Sequence, residues 1–255
     1  MNTRYTWDLE DIEIDEPVTE GGSGSGNFGH AGRPGEVGGS APSGQFVNND
    51  DPAEGPFPLE IPSSAKDFGT IGDDLMTVPY SQSSETKAME FGLNQINNAD
   101  TNTLLKDNEE VYNAVYDYMN EGYKVVNEYY HKNKLPHGFT QNFVDNMVDA
   151  IDEACENEIQ SDIVVYRSMK VKDLDIGDEF IDQGYVSTSL DRSIASSFQH
   201  GMLARIYVPK GSYGLFLGNV PSGGRQEWEV LLARQTKFRV LNREGNRIEL
   251  EVVNE

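Results

Sequence analysis

The order of hydrophobic patterns along the chain restricts its fold more than any other feature. Between residues 108 and 157, apolar side chains recur every three or four positions, which is the spacing of one helix face. From residue 163 to residue 252 the pattern changes to short apolar or alternating runs rich in β-branched and aromatic residues, which are typical of strands. Helices followed by a block of strands predict an α+β fold rather than alternating α/β units.

The individual elements can be placed from the same patterns. Helices are predicted from Ser84, from about 108 to 132 and from 140 to about 157, with one or two helical turns between 193 and 200. Leu135-Pro136-His137-Gly138 separates the second helix from the third. Strands are predicted at 163–166, 184–189, 203–208, 215–217, 229–233, 237–241 and 247–252.

The first 60 residues differ in composition from the rest. They hold 12 acidic residues against 2 arginines, a local charge of −10 (2 − 12), and 11 of the 25 glycines. Such a segment cannot bury enough apolar surface to offset the entropy of ordering it. We therefore expect residues 1–62 to form a disordered acidic, Gly/Ser-rich tail and residues 63–255 to form one folded domain.

The total charge and the motif content exclude several classes of protein. The net charge of −23 argues against general affinity for nucleic acid or for an anionic membrane surface. No apolar run approaches the ~20 residues that span a bilayer, and the first residues lack the apolar stretch of a secretory signal. The histidines at 30, 131, 137 and 200 show no metal-ligand spacing, so we expect no metal site.

Two carboxylates stand two residues apart, directly after a glycine-rich run. Glu227 and Glu229 follow residues 218–224 and precede an apolar run. Side chains two residues apart in a strand point to the same face, so both carboxylates should lie together, with Trp228 opposite. Like charges side by side destabilise a strand. The pair therefore indicates a site in which one carboxylate stabilises positive charge and the other handles a proton or a cationic partner.

Three further features precede this pair in a fixed order. They are Tyr166-Arg167 at the end of the first strand, Ser187-Thr188-Ser189 at the end of another, and Phe198 eleven residues after Ser187. Together with Glu227-x-Glu229, they resemble the mono-ADP-ribosyltransferases of the Arg–Ser–Glu class. That class includes the enzymatic components of clostridial binary toxins, the Rho-modifying exoenzymes and some bacteriophage enzymes. The resemblance covers about residues 105–245.

The resemblance implies a fold with two roughly perpendicular sheets around an NAD cleft. NAD would be the substrate, with nicotinamide released and no metal required. Glu229 matches the catalytic glutamate, which stabilises the oxocarbenium-like sugar cation. Ser187 would orient Glu229, and Arg167 would clamp the pyrophosphate.

Glu227 is similar to the family residue that engages the acceptor. Family members that modify asparagine carry Gln at this place, whereas a carboxylate suits a guanidinium. The resemblance therefore implies that Glu227 binds an arginine of a target protein, which the loop 218–226 would recognise.

Other positions receive roles from the same resemblance. Thr188 and Ser189 would brace the strand end beside the cofactor, and Phe198 would stack on the nicotinamide ring. Tyr118 and Tyr123, in the helical pattern Tyr118-x-x-x-x-Tyr123-x-x-x-Asn127, would lie near the phosphates or ribose, with core packing as the alternative.

One position departs from the family pattern. Gly201 stands where toxin-like members often carry a phosphate-binding arginine, so phosphate binding would depend on Arg167, with help from Arg205 or His200.

The residues leave two alternatives to the transferase. One is an NAD glycohydrolase, in which water replaces the arginine. The other is a phage virion structural or interaction protein with an inactive transferase-like domain. The glycine-rich segment at 26–40 resembles one found in proteins encoded near phage head genes. We therefore expect a monomeric protein of the bacterial cytoplasm, encoded by a phage or delivered with its virion.

Overall fold

A computed structural model describes residues 60–71, 84–170, 174–198, 201–218, 220 and 226–254. The predicted tail therefore lies almost entirely outside the described residues, and so does most of the loop 218–226. The described part of the chain contains no helix that is both long enough and apolar enough to cross a membrane.

Helices form the first half of the described domain. They are α1 (Ser84–Phe91), α2 (Ala99–Asp107), α3 (Glu109–Asp117), α4 (Tyr123–Lys132), α5 (Gln141–Cys155) and the short α6 (Arg192–Ser197) between two strands. A π turn at Tyr118–Gly122 joins α3 to α4, so the predicted helix at 108–132 is one helical stretch with a wider turn inside it. A second π turn, Gly92–Ile96, follows α1. The sequence did not predict α2, because this mostly polar helix buries only Thr101 and Leu105.

The helix α5 begins where its cap predicts. Thr140 accepts a hydrogen bond from the Phe143 amide at 3.3 Å, which satisfies one of the free donors of the first turn. The apolar spacing of this helix predicts that Phe143, Met147, Val148 and Ile151 are buried. The prediction is wrong for Phe143, because its side chain is 40% exposed while Val144 is fully buried. The buried face of the helix thus lies one residue later than predicted at this end.

The strands are β1 (Ile163–Met169), β2 (Glu179–Ile181), β3 (Val186–Ser189), β4 (Met202–Val208), β5 (Gly214–Phe216), β6 (Glu229–Leu232), β7 (Lys237–Glu244) and β8 (Arg247–Val252). They follow the helices, so the predicted α+β order is confirmed. Their order in the sheet is β2-β7-β8-β4-β1-β3-β6-β5. Strands β4 and β8 run parallel, whereas every other neighbouring pair of described strands is antiparallel.

Hydrogen bonds join the strands into one sheet, where two sheets were expected. The sheet is nevertheless weakly joined at one place, because β1 and β3 share a single registered pair, Tyr166 with Ser189. By contrast, β1 pairs with β4 over seven residues. A five-stranded part and a three-stranded part therefore meet at the β1–β3 join.

Two large apolar clusters stabilise this arrangement. One fills the sheet with side chains from nearly every strand, including Phe216, Phe238 and Ile248. The other packs α3, α4 and α5 against the three-stranded part, where Leu215 and Leu231 contribute from the sheet. The helical layer therefore supports the strands that carry Ser187 and Glu229.

Candidate active site

Ser187 and Glu229 meet on the neighbouring strands β3 and β6. The Ser187 hydroxyl donates a hydrogen bond to Glu229 Oε1 over 2.6 Å, a length typical of bonds to a charged acceptor. Glu229 is only 4% exposed. The antiparallel register places Ser189 opposite Glu229, which brings Ser187 diagonally across from the carboxylate.

Burial raises the pKa of Glu229 to about 7, and this is the largest effect on the group. The hydrogen bond from Ser187 lowers the pKa, the charge of Glu227 raises it and Arg167 lowers it. A carboxylate with a pKa near neutrality changes its charge in the physiological range, which is a common property of groups that take part in catalysis.

Glu227 lies near Glu229 for a reason different from the one that the sequence predicts. Strand β6 begins at Glu229, so Glu227 stands outside it, and Trp228 has a φ of 52°. This left-handed conformation is uncommon for a large residue and replaces the strand alternation. Trp228 is buried in the sheet cluster, and both carboxylates line the same cleft. The predicted juxtaposition is present, but a backbone bend produces it.

Thr188 and Ser189 fix the main chain around the two carboxylates. The Thr188 hydroxyl donates to the Val230 carbonyl at 2.6 Å, and the Ser189 hydroxyl donates to the Glu227 carbonyl at 2.7 Å. Ser189 Oγ also accepts from the Asp191 amide at 3.0 Å. These bonds hold the bend at Trp228 in place, because they bind residues on both sides of it.

Arg167 extends from β1 into the site and is 6% exposed. Its Nη1 donates to the Ser187 carbonyl at 2.7 Å, so the guanidinium is tied to the strand that carries the serine. Its buried Nε has no hydrogen-bond partner among the described residues. A buried charged donor without a partner is costly, and an anionic ligand would satisfy it.

These side chains line one open cleft, whose space is about 520 Å³ when the solvent at its mouth is included. The cleft lies at the β1–β3 join, and α6 closes one side of it. Its lining residues are Asn127, Tyr166, Arg167, Ser168, Ser187, Thr188, Ser189, Ile194, Ala195, Phe198, Glu227 and Glu229. Phe198, at the end of α6, is partly buried against the sheet cluster and lines the cleft.

The structure does not place Tyr118 or Tyr123 in the cleft lining. Both are buried, Tyr118 completely, and the Tyr118 ring packs edge-on against Tyr185 at 5.4 Å between centroids. Burial raises the pKa of Tyr118 well above its usual value. Core packing, the alternative reading of these tyrosines, therefore describes them better, because the π turn directs them into the helical cluster.

Asn127, the last residue of the same helical pattern, lines the cleft, although the sequence analysis gave it no role of its own. It donates to the Tyr118 hydroxyl at 3.3 Å and accepts from the Tyr185 amide at 3.2 Å. A polar side chain at the buried face of a predicted helix was the available signal. Asn127 thus links α4 to the chain just before β3.

Arg205 does not line the cleft, contrary to its expected role beside the phosphates. It forms ion pairs with Asp67 and Glu249, each at 3.0 Å. Two carboxylates already satisfy this guanidinium, so it is not available to an anion. His200, the other expected helper, lies outside the described residues.

The arrangement can bind and stabilise a cation next to a buried carboxylate. Glu229 supplies the negative charge, Ser187 fixes its orientation, and Arg167 offers a donor to an anion in the same cleft. Among the described residues there is no group of three or more His, Cys, Asp or Glu side chains that could hold a metal ion.

Solved structures with the same fold are bacterial ADP-ribosyltransferases. The toxin BECa of Clostridium perfringens is 17% identical with a TM-score of 0.54 over 66% of this chain, although the chain spans only 48% of BECa. Plx2a of Paenibacillus larvae is 18% identical with a TM-score of 0.55 over 74% of this chain and 99% of Plx2a. The C3 exoenzyme of Clostridium limosum is 18% identical with a TM-score of 0.54 over 75% of this chain and 98% of the exoenzyme.

No curated protein matches the chain. A family model described as ADP-ribosyltransferase exoenzyme matches residues 88–255, about two thirds of the chain and every residue that lines the cleft. The cleft combines the arginine, serine and glutamate that the sequence pattern predicts for this class. This protein is therefore a member of the ADP-ribosyltransferase exoenzyme family.

Proposed function

We propose that the protein transfers ADP-ribose from NAD to an arginine side chain of a target protein and releases nicotinamide. The observation that carries this proposal is the Ser187–Glu229 hydrogen bond, which lies in a cleft together with the buried Arg167 guanidinium. BECa was solved with NADH, which supports a dinucleotide as the ligand of this fold.

The first step breaks the bond between the nicotinamide nitrogen and C1′ of the ribose. Nicotinamide leaves with the electron pair, and the sugar becomes oxocarbenium-like. Ionised Glu229 stabilises this cation, and because the group is buried the interaction is weakly screened by water. The Arg167 guanidinium, which lines the same cleft, holds the diphosphate and so fixes the sugar relative to the carboxylate. Phe198 stacks on the nicotinamide ring.

The second step forms a bond between C1′ and a guanidinium nitrogen of the target. That nitrogen must lose a proton, and we assign its acceptance to Glu227, a carboxylate of the cleft lining that would also pair with the guanidinium. Glu227 is half-buried at the cleft, beside the loop 218–226, which would recognise the target. The described ends of this loop are joined by a hydrogen bond of 2.6 Å from Gln226 Nε2 to the Gly218 carbonyl.

Two glutamine variants test the assignment. The protein is incubated with labelled NAD and a bacterial lysate, and both labelled protein and free ADP-ribose are measured. Glu229→Gln should abolish transfer and hydrolysis, whereas Glu227→Gln should suppress arginine modification and leave NAD hydrolysis largely intact. Mass spectrometry of the labelled protein identifies the modified residue. If both variants transfer like the wild type, the proposed roles are wrong.

An NAD glycohydrolase is the second candidate, because the Ser187–Glu229 pair would stabilise the sugar cation equally well when water, rather than arginine, is the acceptor. Free ADP-ribose without labelled protein, across lysates from several hosts, would favour it. If the protein fails to bind NAD, the result would favour the third hypothesis, a virion protein with an inactive transferase-like domain. The monomeric state, the phage origin and the cytoplasmic location stay predictions.

A further inference from the structure

A short segment outside the family match packs against two elements that line the cleft, although none of its own residues is in the lining. Residues 60–71 precede the matched range 88–255, yet they pack on strand β1. Lys66 forms a parallel bridge with Ile163, in which the Lys66 amide donates to the Asp162 carbonyl at 2.9 Å and the Val164 amide donates to the Lys66 carbonyl at 3.0 Å. This pairing sets the position of the next residue, Asp67.

Both oxygens of the Asp67 carboxylate are engaged. Oδ1 accepts from the Tyr166 hydroxyl at 2.6 Å and from the Gly69 amide at 2.9 Å. Oδ2 accepts from Nε and Nη2 of Arg205 at 3.2 and 3.0 Å. Gly69 has a φ of +60°, a conformation that glycine adopts without strain, and it turns the chain back toward the carboxylate.

Tyr166 is the partner that reaches the cleft. It lines the cleft, precedes Arg167 on β1 and pairs across the β1–β3 join with Ser189. Its ring is buried, whereas its hydroxyl reaches the partly buried Asp67 carboxylate at the protein surface. The Asp67 carboxylate accepts the hydrogen bond of this hydroxyl and thereby fixes the orientation of the Tyr166 ring next to Arg167.

The same segment also forms hydrogen bonds with the start of α6, on the other side of the cleft. The Arg192 amide, in the first turn of α6, donates to the Gly69 carbonyl, and the Ile71 amide donates to Asp191 Oδ2 at 3.0 Å. Asp191 caps α6 through the amides of its first turn. Helix α6 carries Ile194, Ala195 and Phe198 into the cleft, so residues 67–71 connect both of its sides.

We propose that Asp67 is a positioning residue for nucleotide binding, which acts through Tyr166 and so holds β1 and α6 at the spacing the dinucleotide requires. It contacts no ligand itself. Because binding geometry near a reacting centre is sensitive to small displacements, its loss should weaken NAD binding more than it slows the chemical step. This inference rests on the proposed function, since its first readout is NAD affinity.

Point variants of the full chain test it. Asp67→Ala removes every contact of the carboxylate, Asp67→Asn keeps an oxygen for the Tyr166 hydroxyl, and Tyr166→Phe removes the donor. Glu249→Gln is the matched control, because Glu249 pairs with the same Arg205 at 3.0 Å but does not line the cleft. Each variant is measured for NAD affinity by calorimetry, for KM and kcat, and for thermal unfolding.

We expect Asp67→Ala and Tyr166→Phe each to raise KM and Kd for NAD about three- to tenfold, with kcat changed less than about twofold. The double variant should be no weaker than Asp67→Ala alone, because both changes remove one interaction. Asp67→Asn should restore most of the affinity, and Glu249→Gln should bind like the wild type. The inference is overturned if Tyr166→Phe binds NAD as tightly as the wild type, if the two effects multiply, or if Glu249→Gln shows the same loss.

Hydrogen exchange separates a failure of this inference from a failure of the proposed function. The Val164 amide donates to the Lys66 carbonyl, and the Arg192 amide donates to the Gly69 carbonyl. Both amides should exchange faster in Asp67→Ala than in the wild type, whereas their exchange rates should be unchanged in Glu249→Gln. If the wild type binds no NAD, the proposed function fails, and equal exchange in both variants would overturn the positioning role as well. If Asp67→Ala does not fold, Asp67→Asn and Tyr166→Phe decide the question by the same measurements.

Discussion

Removal of the Ser187 hydroxyl should move the pH dependence of the reaction toward higher pH. In the folded protein this hydroxyl donates to Glu229 over 2.6 Å, and the bond lowers the pKa of the carboxyl, which burial has raised to about 7. A hydrogen bond to a charged group contributes about 1.5–3 kcal/mol. One pKa unit corresponds to about 1.4 kcal/mol, so Ser187→Ala should raise the pKa of Glu229 by about 1 to 2 further.

The expected loss of activity follows from the ionised fraction. At pH 7 about half of the wild-type Glu229 carries its charge, because its pKa is about 7. After the further rise the charged fraction falls to roughly 9% or 1%, so kcat/KM at pH 7 should decrease about 5- to 50-fold. At pH 9 most of this loss should be recovered, since the carboxyl of the variant ionises again.

The assay is kcat/KM for the release of nicotinamide from NAD between pH 5.5 and 9.5, because this ratio reports the pKa values of the free enzyme. Ser196→Ala is the control, since the Ser196 hydroxyl donates only to the main chain of α6 and does not line the cleft. A loss in Ser187→Ala that is equally large at pH 7 and pH 9 would refute the reasoning and would show that Ser187 acts by another route.

Three other predictions follow from the same contacts. Glu229→Gln should stabilise the fold against urea by about 3 kcal/mol above pH 7 but not below pH 4.5, because a buried carboxyl whose pKa is raised loses folding stability as the pH rises through that range and Gln does not ionise. Arg167→Lys should raise KM for NAD by about tenfold or more in steady-state kinetics, since lysine lacks the planar fork of donors. Gly184→Ala should lower the free energy of unfolding by about 1–3 kcal/mol, because the added Cβ would lie 2.6 Å from Asn127 Oδ1. Gly138→Ala, at a φ of 93° and with no atom within 4 Å of the added Cβ, measures the separate cost of backbone strain, which Gly184→Ala does not incur.

Much of the fold was predictable because local periodicity reports local structure. Strand β8 occupies the predicted residues 247–252, and the predicted start at Ser84 is the start of α1. The short strand β2 was missed, since a three-residue strand with two exposed side chains carries little pattern. The sheet order was not predictable, because strands far apart in sequence, such as β1 and β4, pair through contacts that no local pattern encodes.

The candidate site was predictable in its members more than in its geometry. Arg167, Ser187 and Glu229 come from three strands, and the structure brings them to one cleft. Their order along the chain singled them out, because it resembles the Arg–Ser–Glu class of transferases. Tyr118 shows the limit of this approach, because a helical spacing places a residue on a face but does not say what that face meets.

The sequence by itself determined the element types, their order and the identity of the charged groups at the site, because these depend on neighbouring residues and on chemistry. Only the tertiary structure decided the near-neutral pKa of Glu229, the bend at Trp228 and the contact between Asp67 and Tyr166. Each of these arises from burial or from contact between segments distant in the chain. Asp67 and Tyr166 are 99 residues apart, and folding alone brings them within hydrogen-bond distance.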